Sequence, residues 1–306
     1  MGITTEPYDT VTADAWLVCD TCGTQFPSGD RSKVKTCHIC DDPRQFVPAS
    51  GQSFSTLGEL KKKHKNEWTP CASDPNITFI SSTPRLAIGQ RAILIKTPKG
   101  NILWDCISLL DDETIERIND LGGLKAIVIS HPHFYSTHVQ WARAFACPVY
   151  LSSEDKAWTT LSSTHQVFLT EASTPILDTG ATAIKLGGHF PGSLVLHYNA
   201  RLFIADTLMT TASGVGNWDV DATGAERSRP EGLNSFSFLW SIPNFIPLGV
   251  EDMVRMWRAL RGVDFTATHG GFMGMDIEHE SVKERVLESM KIQARFIGEK
   301  AFEEKL

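Results

Sequence analysis

The chain has 306 residues, 42% hydrophobic and 9% aromatic, and its 29 Lys and Arg against 36 Asp and Glu give a net charge of -7. That apolar content excludes a mostly disordered chain, and the acidic balance argues against nucleic acid as a partner, because backbone binding needs concentrated positive charge. No apolar stretch approaches the ~20 residues of a membrane helix, so no membrane association is expected.

The first residues, MGITTEPYDTVTADAW, show neither a basic leader nor an apolar core, which points to a cytoplasmic protein. Met1-Gly2 would suit myristoylation, but Glu6 stands where Ser or Thr is wanted. Two C-x2-C pairs follow, Cys19/Cys22 and Cys37/Cys40, separated by 14 residues within a module spanning 14–48. Each pair aims two thiolates at one ion from a tight turn that Gly23 relieves, and two such turns make a tetrahedral four-thiolate cage. The competing reading is two disulfides, which suits a secreted chain better than this one. Zinc is expected above iron, in a closed and therefore structural site, with His38 exposed and not a ligand. The module resembles a zinc ribbon or rubredoxin-like knuckle, too short to fold without its ion. Cys71, Cys106 and Cys147 are isolated and read as buried apolar fillers.

Residues 49–76 read as a connector, with LGELKKKHKNEW (57–68) as a short basic helix whose charges form a solvated face. From Ile77 onward, ITFISS, RAILIKT and NILWDC read as strands, DDETIERINDL as a helix with an acidic start, and KAIVIS as a buried strand running into His131. A helix at VQWARAF, strands at PVYLS, QVFL, TAIKLGG, SLVLHY and LFIADT, a long irregular section, a helix at GVEDMVRMWRAL and a strand at DFTATHGG complete the order. Apolar residues at 282, 286, 290, 294, 297 and 301 predict a one-faced helix starting near Glu278. Two halves, each with strands first and a helix last, predict packed sheets with helices outside.

His131, His133, His189, Asp206 and His269 fall at the ends of four of these strands, which is how a metal site is assembled on a rigid scaffold. His165 and His197 read instead as hydrogen-bonded surface residues. The motifs HPH (131–133), GHFPGS (188–193), Asp206 of FIADT and His269 of THGG resemble, in order, those of the metallo-beta-lactamase fold over residues 77–306. The resemblance implies an α+β fold, a four-layer αβ/βα sandwich, with the small metal-bound knuckle appended. It departs from the family where Tyr135 and Ser136 stand in place of the motif Asp and His. A three-imidazole site (His131, His133, His189) is therefore expected, with Asp206 as fourth ligand or as a partner behind the ligands. A weaker second position would rest on Asp206 and His269, unless His138 swings in.

The implied function is a metal-dependent hydrolase using zinc-bound hydroxide on a small cyclic ester, lactam, ester or thioester. In that reading Asp206 relays the proton, and His269, Tyr135 or His138 serve as donors or oxyanion partners. The section 208–247, with Trp218, Phe236, Phe238, Trp240 and Phe245, would overhang the site and favour a small apolar or aromatic ring. Trp218 is the residue expected to face the substrate, with His138 as a second contact. These rings could equally pack onto the sheet or form a homo-oligomer contact. Two other classes stay open: a non-haem iron oxidoreductase resembling persulfide dioxygenases or flavodiiron proteins, and a non-catalytic, metal-stabilised binding protein.

Overall fold

The short apolar runs pair into two sheets. In the seven-stranded sheet the strands follow chain order: Lys65–Pro70, Ile77–Thr83, Arg91–Ile95, Ile102–Trp104, Ala126–Val128, Val149–Ser152 and Gln166–Leu169. The first four pair antiparallel and the last three add in parallel. Helices Asp112–Asp120 and His138–Ala144 supply crossovers that parallel pairing requires. The six-stranded sheet runs Ser173–Pro175, Thr182–Lys185, Leu194–Tyr198, Arg201–Phe203, Ala267–His269 and Asp276–Glu278. Its one parallel pair, Arg201–Phe203 with Ala267–His269, is bridged by a connection that includes helix Val250–Leu260. The structure, a computed structural model, describes residues 6–298 and 302–305.

Strand alternation builds the layers. Ile93 and Ile95 face a layer between the sheets that also holds Trp104, Val128, Leu196 and Phe203. Ala92 and Leu94 face the other way, onto Ile118 and Trp141 of the flanking helices. All five residues of Arg91–Ile95 are buried, as a strand covered on both faces must be. On the far side, Met253, Met256, Val286 and Met290 of helices Val250–Leu260 and Val282–Phe296 cover Ile184, Leu202 and Ile204. Helix, sheet, sheet, helix is the four-layer α+β sandwich that the sequence implies.

Several boundaries move. The basic stretch 57–68 is not one helix: a capping box at Thr56 and Glu59 opens a helix of only Leu57–Lys61, and Lys65–Pro70 is the edge strand of the seven-stranded sheet. The period of two explains the switch, since Asn66 and Trp68 are half-buried while Lys65 and Glu67 are exposed. Residues read as connector thus belong to the main sheet. The section 208–247 is less irregular than expected. Met209–Thr210 pairs with Phe236–Ser237 and Leu239–Ser241 with Ile246–Pro247, and Phe236 and Phe238 are buried in the core against helix Val282–Phe296. The C-terminal helix begins at Val282, because Glu278 belongs to the last strand, and buries Val282, Val286, Met290 and Ala294. Ala301 and the Met1-Gly2 pair lie outside the described residues.

The cysteine module is sewn to this sandwich. Its strand Leu17–Cys19 pairs with Phe54–Thr56. The Gln25 amide N–H donates to the Ser136 carbonyl at 3.1 Å, and Gln140 Nε2 donates to Gln25 Oε1 at 2.9 Å. Gly23 adopts φ +81°, and a Cβ there would stand 1.9 Å from Ser108 Oγ, which itself donates to the Gly23 carbonyl.

Candidate functional site

Four side chains converge beyond the strand ends. His131 follows Ala126–Val128 by three residues, His133 lies in the 3-10 turn Pro132–Phe134, His189 follows Thr182–Lys185, and Asp206 lies three residues past Arg201–Phe203. Their inward atoms are His131 Nε2, His133 Nδ1, His189 Nε2 and Asp206 Oδ2. Asp206 Oδ2 is 3.2, 3.6 and 3.7 Å from the three imidazole nitrogens in that order, and His133 Nδ1 to His189 Nε2 is 3.1 Å. Ligands about 2.0–2.1 Å from an ion at a tetrahedral centre stand about 3.3–3.4 Å apart, so these spacings are those of a metal shell.

The outer atoms set the tautomers that such a shell needs. His189 Nδ1 donates to the Leu239 carbonyl at 3.1 Å, which leaves Nε2 as a lone pair. His131 Nδ1 is 2.8 Å from Ser130 Oγ. Burial pushes His133 down to about 4 and His189 well below its ordinary value, so both are neutral, as ligands must be. For Asp206 burial alone would raise the carboxyl, but the charge and hydrogen bond of His131, with His133 and His189, hold it well below the usual carboxylate range. Asp206 Oδ1 and His133 Nε2 are buried without a hydrogen-bond partner. The donor set therefore fits a metal ion.

The four cysteines also meet. Cys19 Sγ lies 3.7 Å from Cys40 Sγ and Cys22 Sγ 3.6 Å from Cys37 Sγ, and all four sulfurs lie within 4.8 Å of one another. Thiolates about 2.3 Å from a tetrahedral ion stand about 3.8 Å apart, whereas a disulfide would bring them to about 2.0 Å. Hydrogen bonds from Cys22, Cys37 and Cys40 hold the Cys19 thiol far below its ordinary range. His38 is exposed, and Cys71, Cys106 and Cys147 are buried, as the sequence indicates.

Three expected site residues go elsewhere, and a fourth shows no contact there. His269 is the last residue of its strand, and alternation turns its ring into the layer between the sheets, against Phe79 and Phe203. There Nδ1 meets Asp276 Oδ1 at 2.8 Å and Nε2 accepts from Arg201 Nη1 at 2.9 Å, so neither nitrogen reaches the Asp206 cluster. Cys71 and Glu278 lie within ligand spacing of His269, but the Arg201 guanidinium already occupies that group. Tyr135 is buried, its hydroxyl donating to the Asp155 carbonyl at 3.3 Å, and burial raises its phenol well above the ordinary value. Trp218 donates from Nε1 to the Ser213 carbonyl at 2.8 Å and carries Arg227 over its ring; it closes its own loop. His165, read as a surface residue, is buried with Nδ1 on the Cys147 carbonyl.

His138 neither swings in nor contacts the ligand cluster. Its Nδ1 donates to the Tyr135 carbonyl at 2.9 Å and its Nε2 accepts from the Gln166 amide at 2.9 Å, a pair of partners that requires the neutral ring. Burial lowers its pKa to about 4, with the Tyr135 carbonyl opposing weakly. An unfolded histidine takes its proton near 6.5 and the folded one only near 4. Stability is thus lost as pH falls from 6.5 to 4, by ~3 kcal/mol from this residue. Urea unfolding across that interval should show His138→Gln flattening the acid limb; an unchanged slope would place the titration elsewhere.

Two contributors carry signals that are easy to pass over. Asp105 directly follows the strand Ile102–Trp104, adopts φ +59°, and accepts from the Ser130 amide at 2.7 Å, so it braces the start of the histidine loop; burial pushes its carboxyl up to about 7. Arg44, four residues past Cys40, reaches the His189 loop from the cysteine module.

No protein-family model matches the chain. It is 34% identical over 279 residues to the uncharacterized protein YmaE of Bacillus subtilis (strain 168), covering 91% of this chain and 94% of that protein. Among solved structures, DIM-1 metallo-beta-lactamase superposes with a TM-score of 0.50 at 13% identity, covering 75% of this chain and 98% of its own. VMB-1 superposes with a TM-score of 0.50 at 15% identity, covering 76% and 99%. The chain accordingly belongs to the family of YmaE and carries the metallo-beta-lactamase fold, with a four-cysteine cluster beside a three-histidine, one-aspartate cluster.

Proposed function

We propose that the protein is a zinc-dependent hydrolase acting on a small ester, lactone, lactam or thioester. The observation that carries this reading is the convergence of His131, His133, His189 and Asp206 at metal-shell spacing on strand ends. An ion held by these residues supplies Lewis acidity, activating water near neutral pH and polarising a carbonyl.

The protein's own part is orientation, dryness and proton handling. Ser130 and the Leu239 carbonyl fix two rings. Phe190 packs its ring within 4.9–5.7 Å of the three imidazoles and shields them from bulk water. Asp206 stays ionised, and its unpartnered Oδ1 is the acceptor for a proton leaving the attacking water. As the carbonyl carbon gains its new C–O bond and its bond to the leaving group breaks (C–O, C–N or C–S), the same oxygen returns that proton to the departing oxygen, nitrogen or sulfur.

A second reading, a metal-stabilised binding protein, draws on the same geometry: four protein ligands complete a tetrahedron unless Asp206 withdraws. Purified protein assayed against lactones, lactams, esters and thioesters separates the two. The hydrolase reading expects turnover, with His133→Ala removing one zinc per chain and cutting kcat/KM by at least ~10²-fold. Zinc that depends on His133, with no turnover across all four ester and amide classes, would support the binding protein instead.

A further inference from the structure

The cysteine module does more than sit beside the histidine cluster. The turn after Cys40 is held by the Cys40 and Asp41 amides, both donating to the Cys37 carbonyl at 3.1 and 2.9 Å. Two residues on, Asp42 grips Arg44 with both carboxylate oxygens, Nε at 2.8 Å and Nη2 at 3.0 Å, and accepts the Arg44 amide at 2.9 Å. That grip leaves Nη1 to donate to the His189 carbonyl at 3.4 Å. The guanidinium lies 4.0 Å over Phe190, 5.1 Å from Trp158 and 5.7 Å from Trp240. Only 12% of the Arg44 side chain and 14% of Asp42 are exposed.

A second strut runs from the same turn. The Pro43 carbonyl accepts from Ser241 Oγ at 2.5 Å and Asn244 Nδ2 at 2.8 Å. Two residues before Ser241 is Leu239, whose carbonyl holds the His189 ring. The His189 amide is tied to the main sandwich, donating to Thr207 Oγ1 at 3.3 Å, but its carbonyl through Arg44 and its ring through the 239–244 hairpin both return to residues 42–44. His38, inside the second cysteine pair, stacks on Trp158 at 6.1 Å and 17°. The Asp42–Arg44 pair is neutral as a unit, so its contribution is shape. Planar, two-toothed and stacked contacts are what lysine does not reproduce.

We infer that Arg44 is a positioning residue for His189, and that the four-thiolate centre, by holding the 41–44 turn, sets how tightly the histidine cluster binds its ion. The inference rests on the reading that the histidine cluster is a metal site, and its test does not depend on turnover.

Cobalt(II) reports the two sites separately in the 306-residue chain, thiolate charge-transfer bands for the cysteines and weaker d–d bands for the histidines. Arg44→Ala, Arg44→Lys and Asp42→Ala should leave the thiolate bands intact and weaken cobalt binding at the histidine site by ~10- to 100-fold, the usual loss when a residue supporting a ligand is removed. Cys40→Ser, with circular dichroism confirming the sandwich, should weaken the histidine site by the same range. Arg44→Lys binding cobalt there within twofold of the parent would overturn the positioning role. Cys40→Ser doing so would overturn the link to the thiolate centre. A parent protein with no cobalt spectrum dependent on His133 would instead overturn the metal-site reading, and this inference with it.

Discussion

Replacing Cys19 by Ser is expected to unfold residues 17–45 and release one ion per chain. The apolar core of this module is small: Leu17, Phe26, Val34 and Ile39 around the four sulfurs, with Phe54 and Trp158 at its border. That is too little burial to offset the ordering of nearly thirty residues at ~1–2 kcal/mol each. Where zinc fills a four-thiolate cage it contributes an apparent ~10–16 kcal/mol near neutral pH, and a tetrahedron of three thiolates and a hydroxyl would forfeit much of that. Hydrogen exchange checks this directly. Protected amides within 17–45, such as the Cys19 amide bonded to the Thr24 carbonyl, should exchange freely in the variant. The strands Arg91–Ile95 and Ala126–Val128 should keep their protection, because their cores lie in separate layers. Retained protection across 17–45 would mean that the hydrogen bonds from Gln140 to Gln25 and from Ser108 to Gly23 hold the module without its ion.

The sandwich and most of the histidine–aspartate cluster are legible in the sequence for local reasons. The alternation through Ile93, Leu94 and Ile95 sorts each side chain to its layer, and His131, His189 and Asp206 each sit a few residues past an apolar run, where a loop is free to turn them inward. The cysteine pairs are legible because their spacing is itself the geometry. His269 obeys the same strand-end pattern and still goes elsewhere. It is the last residue within its strand rather than beyond it, so alternation settles its direction, and its partner Asp276 lies across a turn that TATHGG does not announce. Tyr135 and His138 follow the 3-10 turn Pro132–Phe134, and their side chains bond the Asp155 and Tyr135 carbonyls, partners that the local sequence does not announce. Arg44 is illegible for another reason: its contact with His189 spans 145 positions, and no local pattern encodes it. The aromatic overhang divides similarly. Phe236 and Phe238 go into the core, Phe245 is 81% exposed, and Trp240 alone of the five approaches Arg44 at the site.

The misplaced histidine leads to the second large effect, expected for Asp276→Ala. Arg91 is 1% exposed, donates from Nη1 and Nη2 to Asp276 at 3.0 and 2.5 Å and from Nε to the Gly270 carbonyl at 2.9 Å, and lies 3.9 Å over Phe79. Asp276 also takes the His269 contact, so one carboxylate closes a buried chain from Arg91 through His269 to Arg201. Arg91 and His269 hold that carboxyl below its ordinary value although burial alone would raise it. Removing it strands a guanidinium away from water, which costs ~3–5 kcal/mol, toward the lower figure because the Asp276 side chain is 25% exposed. Urea unfolding should show that loss, while the ion content of the His131 cluster stays unchanged; an ion lost with Asp276→Ala would return His269 to the metal chemistry. The sign of the coupling gives a sharper check. Arg91→Met removes the stranded charge and keeps much of the packing on Phe79, so the double variant Arg91→Met/Asp276→Ala should be more stable than Asp276→Ala alone. A double variant that is instead the sum of two losses would show that shape, and not an unpaired charge, accounts for the cost of breaking this pair.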